Sequence, residues 1–514
     1  MIAGLQANPI DESIAQRTAN TQVFRGNCKA LVIASLPIFV SLLGIIFKGY
    51  WKAMNRTTLR IREMASLLVA LGALVFWPAV GSAGGVAKET FPRLGGYQIG
   101  RNPYAQSYGD PDYLRAIAKL DYAILGSNYM SINDHARVIR QINPNILLAK
   151  YSKVMSIHKE ITGYPALKRD KAYAEAGPTA SNTHDWWARD FDGNQVSNWP
   201  GNWTVNFTDY VQPDANGDRF PQWAAKLDYE YWFHDDVWDA QFGDSVYWKP
   251  RETANGAKVD WSGGQETNRK RLEAAFRNGH KNYWDELKRL APEKLIFANH
   301  DWHRSEKAND GWNLPEYDQQ IHGGLLERVM TSSDLIQERT PWATTRRYYF
   351  NSMEKYFQDP KIVMFVAQGE PDNYQFFRYA FATCLLHGGY FEYAPYDYHY
   401  GTVEWFDEFD LSGRSDTEWL GRAISDPPTS SWQHGVWRRD FEGGVALVNP
   451  KGNGRITVTI ESGFRRIDGQ QAPTVNNGKA AKTIHLDDGD GIILVRDGTV
   501  AFVADPKSPV LSVN

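Results

Sequence analysis

From residue 90 onward the chain alternates short apolar runs with helix-length stretches, and this alternation limits the available folds more than any other feature. The runs fall at 96–100, 122–125, 146–149, 229–233, 295–298, 324–326, 362–367 and 389–391, with helical patterns such as 271–290 and 376–386 between them. Strands separated by helices make parallel sheets, because a parallel pair needs a crossover long enough to hold a helix. Eight such strands close a barrel. The first three runs recur about every 25 residues, the length of one strand–helix unit. The spacing then widens. Stretches 152–228 and 239–293 are long and rich in Trp, Asn and Asp, so long loops are expected after strands three and four, on the rim where barrel active sites form.

After about residue 405 the texture changes. Short β-rich runs broken by turns such as Asn449-Pro450 and Asn476-Asn477-Gly478 replace the helical patterns. The expected fold class is therefore α/β: a (β/α)8 TIM barrel over 90–423, followed by an all-β sandwich domain over 430–505. Pro427-Pro428 sits in the linker between them.

Ahead of the barrel, Arg56, Arg60 and Arg62 precede an apolar run over 64–80 that ends in Gly81-Ser82-Ala83-Gly84. A basic flank, an apolar stretch and small residues make a secretory signal peptide over 54–83. A second apolar run over 30–47 leaves two readings for residues 1–53: an over-extended start, or the first half of a membrane hairpin whose basic loop stays inside. Both readings send the remainder outward, as a secreted, periplasmic or membrane-anchored protein facing out.

Lys and Arg total 56 against 60 Asp and Glu, so no basic excess exists to neutralise phosphates, and nucleic acid is a poor partner. With only Cys28 and Cys384, neither a disulfide framework nor a cysteine zinc site can be built. Gly-x-Ser-x-Gly, P-loop and Rossmann signatures are absent, which removes the usual marks of esterases, nucleotide hydrolases and dehydrogenases. Aromatic residues make up 13% of the chain, and twelve tryptophans lie between Trp186 and Trp312. Such flat rings suit sugar faces or protein partners, or else they hold long loops together.

Two strings carry acids at expected strand ends. In Tyr229-Glu230-Tyr231-Trp232-Phe233-His234-Asp235-Asp236, an apolar run ends in adjacent carboxylates, of which strand alternation aims only one along the barrel axis. In His322-Gly323-Gly324-Leu325-Leu326-Glu327-Arg328, a Gly-rich lead and two apolar residues end in an acid, which could also serve only as an ion-pair partner of Arg328 or Arg339. Counted as strands four and six, they would bring Asp235 (or Asp236) and Glu327 together across the barrel mouth. Glycoside hydrolysis needs two carboxyl groups there, about 5–5.5 Å apart for retention or about 6.5–9.5 Å for inversion.

Other strand ends offer groups for a polyhydroxylated ligand: Arg101, Lys150, Asn299, Asp301, Glu370 and Glu392, with Trp232, Trp238 and Trp302 as stacking platforms. His234-Asp235-Asp236 and His300-Asp301-Trp302-His303 could instead hold a metal, as in a metal-dependent hydrolase or deacetylase. Asp214-Ala215-Asn216-Gly217-Asp218 resembles half a calcium loop, but its Gly comes too early and no acid closes it, so it reads as a turn.

The chain resembles hypothetical glycosyl hydrolase family 15, barrel proteins akin to the polygalactosaminidase-like hydrolases. The resemblance rests on Gly95-Gly96-Tyr97, on Trp187-Ala188-Arg189-Asp190-Phe191-Asp192-Gly193 with Asn206-Phe207-Thr208, on Phe233-His234-Asp235-Asp236-Val237 and on the 323–327 string. Trp437-Arg438-Arg439-Asp440-Phe441 with Val445-Ala446-Leu447-Val448-Asn449-Pro450 looks like an accessory β-domain of such enzymes. The resemblance implies glycosidase chemistry without a cofactor. Asp235 would be nucleophile or base, and Glu327, kept partly protonated by apolar surroundings, the proton donor. The resemblance names no sugar, and the expected substrate is an extracellular or cell-envelope polysaccharide. Two other readings stay open: a carbohydrate-binding barrel without catalysis, and the metal-dependent hydrolase.

Overall fold

A computed structural model describes residues 88–99, 108–126, 132–152, 154–158, 185–300, 314–331, 342–395, 401–411 and 417–498. The described residues all belong to one compact unit, Ser82–Asn514. The features expected of residues 1–53 and 54–83 lie outside the described residues. Among the described residues, no helix is long and apolar enough to cross a membrane.

Eight parallel strands form one sheet in chain order: β1 Gly95–Ile99, β2 Tyr122–Leu125, β3 Leu147–Ser152, β4 Ala240–Val246, β5 Leu295–His300, β6 Ile321–Thr331, β7 Phe357–Gln368 and β8 Tyr390–Ala394. The sheet nearly closes on itself, since Leu94 pairs in parallel with Phe391 and the Phe391 N–H donates to Arg93 O at 2.9 Å. Between strands run α1 Pro111–Ile117, α2 Ile132–Ile142, α3 Phe220–Asp228, α4 Arg269–Leu290, α5 Trp342–Asn351 and α6 Tyr374–His387.

Alternation sorts the strand residues into two cores. Ile124, Ala149, Ala240, Phe242, Phe297, Leu325, Met364, Val366 and Tyr390 point inward and fill the barrel. Their neighbours, such as Leu148, Ile296, Leu326 and Phe365, join the helix layer outside. Gly323 is required by close approach: a Cβ there would lie 2.2 Å from the Ile362 carbonyl of β7.

Seven of the eight expected strands are present, and the fourth is corrected. Residues Tyr229–Phe233 form a π-helical turn that continues α3, and the real β4 begins at Ala240. A helical stripe explains it: Phe220, Ala224, Ala225, Asp228 and Trp232 are buried at spacings of four, one, three and four residues. An aromatic run has no period-2 alternation to mark it as a strand.

The C-terminal residues form a four-stranded antiparallel sheet of β9 Trp437–Phe441, β10 Gly444–Asn449, β14 Asp490–Arg496 and β12 Phe464–Arg466, in that order. A separate pair, β11 Ile456–Thr459 and β13 Thr483–Leu486, shares a core with one face of that sheet through Val458, Ile484, Leu447 and Leu494. The other face, with Ala446, Val448, Ile493 and Val495, is buried against α6 through Phe381, Ala382 and Leu385. Residues 499–505 of the expected β domain lie outside the described residues.

Candidate active site

The correction to β4 moves its acids. Asp235 and Asp236 come before the strand and lie at its amino end, the opposite end of the barrel from the expected site. Asp235 is ion-paired with Arg137 and accepts the Val237 N–H, its carbonyl accepts from Lys294, and Asp236 is exposed. Asp235 is thus a cap and ion-pair residue, and neither acid is brought to Glu327.

The acid at the carboxyl end of β4 is Asp244. Ala240 and Phe242 face the barrel interior, and two residues further along the same face comes Asp244. Its Oδ2 accepts the Tyr151 hydroxyl of β3 at 2.6 Å, and its Oδ1 accepts the Asn299 amide of β5 at 3.0 Å and the Ser245 N–H at 2.8 Å. The same Asn299 Nδ2 donates to Glu327 Oε2 at 2.7 Å. One amide nitrogen therefore ties together the strand-end acids of β4 and β6.

Two bulges aim these acids. Between Gly243↔Ala298 and Val246↔His300, two residues of β4 oppose one of β5. Between Leu326↔Phe365 and Met330↔Ala367, three residues of β6 oppose one of β7. Extra residues bend a strand and re-aim its side chains. In each bulge the residue after the acid is left-handed without being glycine: Ser245 at φ 62° and Arg328 at φ 53°. Such backbone costs about 1–3 kcal/mol per residue and persists where the surroundings over-determine it, commonly at functional sites.

Glu392 on β8 is buried, and neither of its oxygens meets hydrogen-bond geometry with a described residue. Burial raises its pKa well above the usual carboxylate range, the Tyr97 backbone amide opposes this, and the nearby Glu327 charge adds a lesser push upward. Burial therefore favours the protonated form of Glu392. Gln368 at the end of β7 is also buried, with its Nε2 unpartnered among the described residues.

The other expected site residues divide. Asn299, Glu327 and Glu392 stand at the barrel mouth, and Glu370 is exposed in the turn from β7 to α6, its carbonyl accepting the Tyr393 hydroxyl. Lys150 is on the outer side of β3, where its ammonium donates to Tyr151 O and lies 4.5 Å over the Trp232 ring. Trp232 and Trp238 are buried core, and Trp238 Nε1 donates to Asn133. Trp186, Trp261 and Trp284 are buried as well, so these tryptophans staple loops and helices and are not open platforms. Arg101, Asp301 and Trp302 lie outside the described residues. The 214–218 segment is a turn, closed by Asp214 N–H to Asp218 O at 2.8 Å. Among the described residues, no group of three or more His, Cys, Asp or Glu is arranged to hold a metal ion.

Asp244 was missed by reading the sequence. The available signal was the period-2 pattern Ala240-x-Phe242-x-Asp244, which resembles Leu325-x-Glu327 on β6.

No curated protein matches the chain. Among solved structures, the glycoside hydrolase domain of PelA from Pseudomonas aeruginosa is 12% identical, with 60% of this chain and 95% of that one covered and a TM-score of 0.34. The cycloalternan-forming enzyme from Listeria monocytogenes, in complex with a pentasaccharide substrate, is 10% identical, with 80% and 41% covered and a TM-score of 0.40. A GH36 α-galactosidase, AgaA from Geobacillus stearothermophilus, is 9% identical, with 80% and 56% covered and a TM-score of 0.39. The model of one protein family matches residues 140–445, more than half the sequence and all of the barrel from β3 to β8. The chain belongs to hypothetical glycosyl hydrolase family 15.

Proposed function

We propose that the protein is a retaining glycoside hydrolase in which Asp244 is the nucleophile and Glu327 the acid and base. The observation that carries this is Asn299 Nδ2, 3.0 Å from one carboxylate and 2.7 Å from the other. Laid end to end those bonds hold the two oxygens within about 5.7 Å, which fits the roughly 5–5.5 Å of retaining pairs better than the wider inverting gap.

Asp244 is held by three neutral donors, from Tyr151, Asn299 and its own neighbour Ser245, and this fixes the oxygen that attacks the anomeric carbon. As that bond forms, Glu327 gives its proton to the leaving glycosidic oxygen. In the second step Glu327 takes a proton from water, whose oxygen attacks the same carbon and releases Asp244. Protonated Glu392 supplies a hydrogen-bond donor at the mouth for a sugar oxygen. The signal-like pattern at 54–83 supports an extracellular or cell-envelope polysaccharide as substrate.

The test is the configuration of the first-formed product, followed by NMR on exopolysaccharides and wall glycans that the wild type cleaves. Retention is expected. Inversion would overturn the assignment of Asp244 as nucleophile, and binding without cleavage of any glycan would favour a carbohydrate-binding barrel.

A further inference from the structure

A cavity of about 330 Å³ opens near the amino ends of the barrel strands, away from Asp244 and Glu327. Its wall is assembled from Arg93 just before β1, Lys361 of β7, the start of β8, and Arg422 and Arg439 from the C-terminal residues.

The charges in this wall do not balance. Arg439 is 6% exposed, and its Nη1 donates to the Leu385 and Leu386 carbonyls at 3.0 and 3.3 Å. Arg93 Nη1 donates to the Gly388 carbonyl at 2.9 Å, while its buried Nε has no partner among the described residues. These carbonyls end α6, and a helix terminus offers only about half an elementary charge against two whole guanidinium charges. The Phe91 ring, 4.1 Å below Arg93, adds a modest cation–π contact.

No acid completes the balance. Among the described residues, neither arginine nor Lys361 has a carboxylate within ion-pair distance. Glu89 and Glu442 are drawn to the exposed Arg422, and Asp121 is engaged by Lys88 at 2.7 Å. His387 in the same wall is held neutral, its pKa pushed down to about 3 by burial. Burial also lowers Arg439 to about 10, and Arg93 beside it lowers it further, while Tyr349 and the Asp426 charge, which is beyond ion-pair distance, offset this only in part.

We propose that this cavity is a binding site for a small oxyanion, the phosphate or carboxylate group of a metabolite-sized ligand, clamped by Arg93 and Arg439 with Lys361 at the rim. Guanidinium groups match the planar, two-oxygen face of such anions, and a partly buried site screens the pairing little.

Thermal unfolding and calorimetry of the full chain at constant ionic strength test this, with inorganic phosphate in one arm, glucuronate in another and chloride with neutral glucose as reference. Saturable binding of phosphate or glucuronate is expected, with the tighter of the two naming the acid group of the ligand. Arg93→Gln is expected to abolish it. Lys361→Ala, which removes a rim residue and none of the bonds holding α6, is expected to weaken it about tenfold and leave glycan cleavage unchanged. Saturable binding of neither anion, or equal affinity in Lys361→Ala and wild type, would overturn the proposal.

Discussion

Asp235 and Asp244 stand at opposite ends of one strand, and their partners differ in kind. At the amino end Asp235 meets Arg137, and the neighbouring Asp239 meets Arg140 at 2.5 Å while also accepting the Leu148 N–H. At the carboxyl end Asp244 meets a phenol, an amide and a backbone N–H. A guanidinium spends a carboxylate on holding the fold together. Neutral donors orient the group while leaving its charge for an incoming electrophile. The two ends also differ in backbone. The carboxyl end carries the bulges and the left-handed Ser245 and Arg328, whereas the first pairs of β4 with β3 and β5 are regular.

The strongest way to break this comparison is to make one substitution at both ends. Asp244→Asn is expected to lower kcat by at least about a thousandfold with an unchanged circular dichroism spectrum. Asp235→Asn keeps the cap on Val237 and is expected to leave kcat unchanged, with a stability loss of about 1 kcal/mol, since its partner Arg137 is half exposed. Equal loss of activity in both would undo the assignment of ends.

Asp239→Ala strands Arg140 and the Leu148 N–H, and urea unfolding is expected to show a loss of about 3–5 kcal/mol. Catalysis by the molecules that remain folded should be intact. Asn299→Ala removes the shared donor, and a fall in kcat of about a hundredfold is expected, with retention of configuration preserved in the residual activity.

The smallest effect concerns pH. Asp318, ahead of β6, is pushed up to about 6, chiefly by burial. Between about pH 4 and pH 6 the unfolded chain has released this proton while the folded chain keeps it, so folding stability falls as pH rises through that window. Asp318→Asn is expected to flatten that part of the stability–pH curve, as read by thermal unfolding at pH 4 and pH 7. An unchanged slope would show that Asp318 is not its source.

Much of the barrel was legible because its strands are buried runs separated by amphipathic helices, and that rhythm survives in the sequence. The 324–326 run and Glu327 beyond it were placed correctly, since two apolar residues followed by an acid carry the period of a strand. The 229–233 run misled because five bulky residues satisfy a buried helix face as well as a strand. That one error displaced the acid by nine residues and by the full height of the barrel.

By itself the sequence determined the parallel order of strands, the position of Glu327 and the shift to β structure after residue 405, because periodicity and turn chemistry are local properties. Only the tertiary structure decided that Asn299 joins Glu327 to Asp244, and that Trp186, Trp232, Trp238, Trp261 and Trp284 are interior. Those facts depend on which face of each strand turns inward and on bulges set by the neighbouring strands, and a side chain's direction in a closed sheet is fixed by the chains beside it.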